Sequence, residues 1–188
     1  MKFTTQKLVA IGALVASQAV ITLGGAGLNL ITGHYIGGIL NSLFYVAVPI
    51  LGVLIIKEFG TATIMGLVFS VLVIPLPIFG PPGFLPKILE GVVGGLVIDL
   101  VFLIAKTEFY RKITSILAGG FGLLANWLIG YFLLLIFNIP GMEEMAKFFI
   151  SPYGIAGAFI YGCVSGFIAY LVYKKLSNTS IVKRMQSK

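Results

Sequence analysis

The chain has 188 residues, of which 59% are hydrophobic and only 10% charged, with 13 Lys and Arg against 6 Asp and Glu. A soluble domain carries about a quarter charged residues to face water, so a water-surrounded globule is excluded and lipid is the expected solvent, in line with a mean hydropathy of +1.07. The net charge of +7 does not point to nucleic acid, because basic cytoplasmic loops alone produce such an excess. The single Cys163 excludes an internal disulfide and a cysteine-based metal site.

Six apolar segments, each near the ~20 helical residues that cross a hydrocarbon core, are expected at about 7–23, 35–56, 61–79, 86–105, 113–137 and 152–173. The first follows Lys2 and Lys7 and leads into further membrane segments, so it is read as an uncleaved helix rather than a signal peptide. It is rich in small residues, with Gly12 and Ala16, and Ala13 and Ser17, at i, i+4. That spacing lets a second helix approach closely in lipid. A glycine-rich loop, residues 24–33, is expected next. Pro75 and Pro77 kink or end the third segment early, and Gly80-Pro81-Pro82-Gly83 separates it from the fourth. Residues 142–149 suit a short amphipathic helix that lies over the bundle as a lid. The fold class is therefore all-α: one six-helix transmembrane domain over 1–176, and a basic, frayed tail over 177–188.

Eleven of the 13 basic residues fall on the side of the two termini, namely Lys2, Lys7, Lys57, Lys106, Arg111, Lys112, Lys174, Lys175, Lys183, Arg184 and Lys188; Lys87 and Lys147 fall opposite. The positive-inside rule then places both termini in the cytoplasm of a multi-pass protein of the cell membrane. Two acids lie within a span, Glu90 and Asp99, nine residues apart. At ~100° per residue they point about 180° apart and serve different surroundings. Glu90 sits near the outer end, where it either meets a ligand or pairs with Lys87 at the interface. Asp99 faces a neighbouring helix or Lys106.

The remaining polar side chains gather in the outer half. His34 and Asn41 flank the start of the second segment, Asn126, Trp127 and Tyr131 lie along the fifth, and Tyr153 and Tyr161 share a face of the sixth. Amide, imidazole, carboxylate and aromatic groups concentrated on one side compose a small-molecule pocket. An interfacial aromatic belt accounts for Tyr153 and Tyr35 equally well, but not for Asn126 or Trp127, which lie deeper. The chain has no phosphate-binding Gly-Lys-Ser/Thr loop, no His-Glu-x-x-His and no paired nucleophile and base. Neither an enzyme, a cofactor nor a transition-metal site is expected.

Six helices, a small-residue first helix, a one-sided polar cluster and no ATPase resemble the substrate-binding S component of an energy-coupling factor (ECF) transporter. Locally, Gly80-Pro81-Pro82-Gly83-Phe84-Leu85-Pro86-Lys87-Ile88-Leu89-Glu90-Gly91 is similar to the segment entering helix four in the binders of thiamine and its hydroxymethylpyrimidine precursor. The resemblance implies that Glu90 contacts the ligand and that Trp127, Tyr131, Tyr153 and Tyr161 line its site. It also implies docking through Gly12, Ala13, Ala16 and Ser17 onto an ECF transmembrane subunit driven by two ATPase subunits. On that reading the chain captures a vitamin or vitamin precursor, a thiamine-related heterocycle first, from outside the cell. Two other readings remain open: a stand-alone channel or facilitator, which needs polarity in both halves, and an assembly factor without a ligand.

Overall fold

A backbone in lipid has no water to satisfy its N–H and C=O groups, so each apolar stretch closes its hydrogen bonds internally as a helix. The computed structural model describes residues 3–32, 36–76, 81–104, 111–137 and 143–186, and among these every regular element is helical. In chain order they are α1 (Thr5–Thr32), α2 (Ile36–Ile56), α3 (Thr61–Val73), α4 (Lys87–Ile104), α5 (Arg111–Phe137), α6 (Glu143–Ile150), α7 (Pro152–Leu176) and α8 (Ser180–Gln186). Three of them, α1, α5 and α7, contain stretches long and apolar enough to cross a membrane, and α2 and α3 hold shorter apolar runs. Large aliphatic side chains stand outward, among them Ile31 at 82%, Ile104 at 85% and Ile136 at 72% exposure. Such a surface suits lipid and marks a multi-pass membrane protein.

Two helix boundaries depart from expectation for physical reasons. Helix α1 continues through Gly24-Gly25-Ala26-Gly27, where a loop was expected. Glycine costs a helix about 1 kcal/mol per residue, less than the several that an open backbone group costs in hydrocarbon. The tail expected to fray instead forms α8. Val182 is buried, and four residues on Gln186 Nε2 donates to the carbonyls of Leu54 (3.2 Å) and Ile55 (3.3 Å) at the end of α2.

Prolines shape the other ends. Helix α3 stops at Val73, before Pro75, as its missing N–H requires. The Lys87 ammonium then donates to the carbonyls of Leu76 (2.6 Å) and Val73 (3.4 Å), at and just past the end of α3. Pro49 lies within α2 and cannot donate to the carbonyl of Tyr45 one turn earlier. Gln18 Nε2, from α1, donates to that carbonyl at 3.3 Å.

The helices meet through glycines. A Cβ on Gly66 of α3 would strike the carbonyl oxygen of Gly91 on α4, and one on Gly95 would strike that of Ala62. Between α5 and α7 the same relation holds for Gly119 and Gly162, and for Gly166 against Ser115. Dispersion at this backbone-to-backbone distance replaces the hydrophobic effect, which lipid does not supply between helices.

One end of the bundle is basic. There Lys7 pairs with Glu58 at 2.7 Å, and Arg111 donates to the Tyr173 hydroxyl at 2.7 Å. Asp99 belongs to this end and faces a neighbouring helix. Its carboxylate accepts from Ala62 N (3.1 Å), Thr63 N (2.9 Å) and Thr63 Oγ1 (2.7 Å), capping the first turn of α3. Asp99→Ala is expected to cost about 1–2 kcal/mol, the range for a lost helix cap, and Thr63→Val less. Thermal unfolding in detergent checks both, with ligand affinity unchanged.

Candidate functional site

The end of the bundle away from the basic cluster holds buried polar groups on four helices. Helix α1 presents a buried stripe of Lys7, Ile11, Val15, Gln18, Thr22 and Gly25, spaced four or three apart. These positions follow the 3.6-residue helical period. Gly25 meets Asn41 on α2: a Cβ on Gly25 would collide with Asn41 Oδ1, so only glycine leaves room for that amide. One turn further along α2, the Tyr45 hydroxyl accepts a hydrogen bond at 3.0 Å from Nδ2 of Asn126 on α5. The Tyr45 ring meets Phe69 of α3 edge-on, with centroids 5.7 Å apart.

Glu90 enters this group from the first turn of α4 and is 8% exposed. Among the described residues it forms no ion pair, because the ammonium of Lys87 is turned to the α3 carbonyls. Its carboxylate lies against Gly130 of α5, where a Cβ would stand 3.4 Å from Oε1 and 3.4 Å from the Phe149 ring. It is close enough to Lys87 and to Tyr45 to interact with both electrostatically. Glycine at 130 thus keeps a gap between an acid and an aromatic wall.

Helix α6 supplies that wall. Ser151 accepts from Gly154 N at 3.0 Å and starts α7, so α6 ends where α7 begins and folds back over α5. Phe149 packs on Trp127 with ring centroids 4.6 Å apart at 36°, and Phe148 meets it edge-on at 5.8 Å. The expected short helix over this part of the chain is present, and its two phenylalanines pack on Trp127.

Of the expected site residues, Glu90 and Trp127 both lie near the Phe149 ring, Asn126 bonds Tyr45, and Asn41 lies one turn from Tyr45 against Gly25. Tyr131 packs beside Phe132, one turn beyond Trp127, and Tyr161 lies half-buried against the core. Tyr153 stands apart, 84% exposed at the start of α7, in the manner of an interfacial ring. His34 lies outside the described residues. Sequence reasoning passed over Gln18, Thr22 and Tyr45. The first two were signalled by their i, i+4 spacing on one face of an apolar helix. On the opposite face of α1, about 180° away at ~100° per residue, Gly12, Ala13, Ala16 and Ser17 are all exposed.

The donor set is amide, hydroxyl, one carboxylate and aromatic faces. Among the described residues no three His, Cys, Asp or Glu side chains come together as metal ligands. Chemically, such a set offers shape, stacking and hydrogen bonds of the kind that organic molecules engage.

Comparison with known proteins bears on the same region. No curated protein and no solved structure matches the chain. Residues 4–125, which run from α1 into α5 and include Gln18, Asn41 and Glu90, match one family profile. On that match the chain belongs to the family described as the permease component of an ABC-type cobalt transport system.

Proposed function

We propose that this chain is the substrate-specific binding subunit of an ECF-type ABC importer, and that it captures a vitamin or vitamin precursor at the end of the bundle away from its basic residues. The observation that carries the reading is Glu90, buried across Gly130 from the Phe149 ring and in no ion pair among the described residues, because the ammonium of the nearby Lys87 is engaged by the α3 carbonyls. A charge in a membrane-embedded bundle is costly unless something pairs with it. A cationic or amino-bearing heterocycle that stacks on Trp127 supplies that partner. A thiamine-related compound has both features, and resemblance of residues 80–91 to thiamine and pyrimidine binders favours it.

The family's description names cobalt. Imidazole ligands suit metals of that series, whereas the described residues of the site offer one carboxylate among amides and rings. An organic cargo fits these groups better.

Orientation follows from the charges: the basic end, with Lys7, Lys57, Arg111, Lys112, Lys174, Lys175, Lys183 and Arg184, faces the cytoplasm in a six-span arrangement of α1–α5 and α7. The ligand site then opens outward. The outward-facing Gly12, Ala13, Ala16 and Ser17 form the surface on which the ECF transmembrane subunit, itself driven by two ATPase subunits, packs against α1.

Two tests separate these assignments. Glu90→Gln and Trp127→Ala are expected to weaken thiamine binding by at least about tenfold, roughly 1.4 kcal/mol, in calorimetry on the detergent-purified protein, which stays folded and monomeric. Unchanged affinity in both removes the site. Gly12→Leu or Ala16→Leu is expected to abolish co-purification with the transmembrane subunit while leaving calorimetric affinity within about twofold of wild type, since distant sites act independently.

A further inference from the structure

Helix α8 is fastened to the end of α2 by Gln186 and buries Val182, and between itself and the foot of α1 it leaves a groove of about 370 Å³. That volume lies within the ~300–1,000 Å³ of small-molecule sites. The lining is divided in character. Thr5, Gln6, Ser180 and Arg184 bring hydroxyls, an amide and a guanidinium, while Val9 and Ile181 bring an apolar wall. Among the described residues that line the groove there is no acid. Val9 is 67% and Ile181 66% exposed, so the wall is open to the surroundings of the bundle, which for a multi-pass membrane protein are lipid. The charges nearby are of one sign. Lys174, Lys175 and Lys183 stand exposed at this end of the bundle. The described acids of the same end are committed, Glu58 to Lys7 and Asp99 to Ala62 and Thr63.

We propose that this groove seats an anionic phospholipid of the surrounding bilayer, with its phosphate at Arg184 and the first part of an acyl chain along Val9 and Ile181. A guanidinium presents N–H donors in a planar fork that matches phosphate oxygens in pairs. The hydroxyls of Thr5 and Ser180 and the amide of Gln6 add further donors. Basic pockets beside membrane helices hold anionic head groups in this way. A free phosphate would meet the same donors but leave the apolar wall bare. A zwitterionic phospholipid would cover the wall but bring an ammonium to a place that is already cationic. A molecule with both an anionic head and a chain uses the whole groove. The site lies at the end of the bundle away from Glu90, and it stands or falls independently of the transport reading.

The test is native mass spectrometry of the detergent-purified full chain, with phosphatidylglycerol, phosphatidylcholine and glycerol 3-phosphate added in turn. Wild type is expected to hold phosphatidylglycerol at least about fivefold more tightly than phosphatidylcholine. Arg184→Gln is expected to weaken phosphatidylglycerol about fivefold and to leave phosphatidylcholine within about twofold. Lys175→Gln removes the same charge from the end of α7 and should leave both lipids within about twofold of wild type, as expected of a screened, more distant charge. Gln6→Glu places a carboxylate in the groove with Arg184 and is expected to weaken phosphatidylglycerol at least as much as Arg184→Gln. An acid suits the first turn of a helix, so this variant decides the matter should Arg184→Gln fail to fold. Equal binding of the two lipids by wild type overturns the proposal. So does an equal loss in Lys175→Gln and Arg184→Gln, which is the mark of diffuse attraction to the basic end. Displacement of phosphatidylglycerol by glycerol 3-phosphate overturns the choice of lipid and assigns the groove to a soluble anion.

Discussion

Everything in this bundle depends on how closely its helices can approach when lipid gives them no hydrophobic reason to associate. Gly66, Gly91 and Gly95 bring α3 onto α4, and Gly119, Gly162 and Gly166 bring α5 onto α7, at distances that leave no space for a single methyl group. Dispersion and short-range backbone contact do the work that burial does in water. Once α4 and α5 are fixed in this way, Glu90 and Gly130 face each other across a narrow interval and Asn126 reaches Tyr45. The polar site is a by-product of apolar geometry.

Polar groups, in turn, repair what proline and charge disturb. Asp99 closes the start of α3, Lys87 closes its end, and Gln18 serves the carbonyl that Pro49 abandons. Each of these is satisfied by a neighbouring helix rather than by solvent, the only course open inside a membrane-embedded structure. Glu90 departs from this pattern. It does so across Gly130 from the Phe149 ring, where α4, α5 and α6 meet.

Much of the architecture was legible in the residue pattern because length and apolarity are written along the chain. The principal helices, the early end of α3 before Pro75 and the short helix over Trp127 all appear where composition and proline placed them. Two features were not legible. Helix α1 overran its glycines, since local propensity competes poorly with the demand for backbone hydrogen bonds in lipid. Helix α8 rests on Gln186 reaching carbonyls more than 130 residues earlier, a distance over which no periodicity carries information. At the site, Glu90, Asn126 and Trp127 stood out as polar or aromatic groups in apolar surroundings. Tyr45 did not, because a tyrosine in such a run is ordinary until its hydroxyl is seen to find Asn126. Gln18 and Thr22 were masked by the small residues on the other face of the same helix.

The stacking of Trp127 on Phe149 has an optical consequence. This indole is the only one in the chain, so the protein's whole tryptophan emission arises at the junction of α5 and α6. Its spectrum therefore reports one place alone. Any displacement of the ring that covers it, or any molecule slid between the two, changes the colour and intensity of that light without a label having been attached.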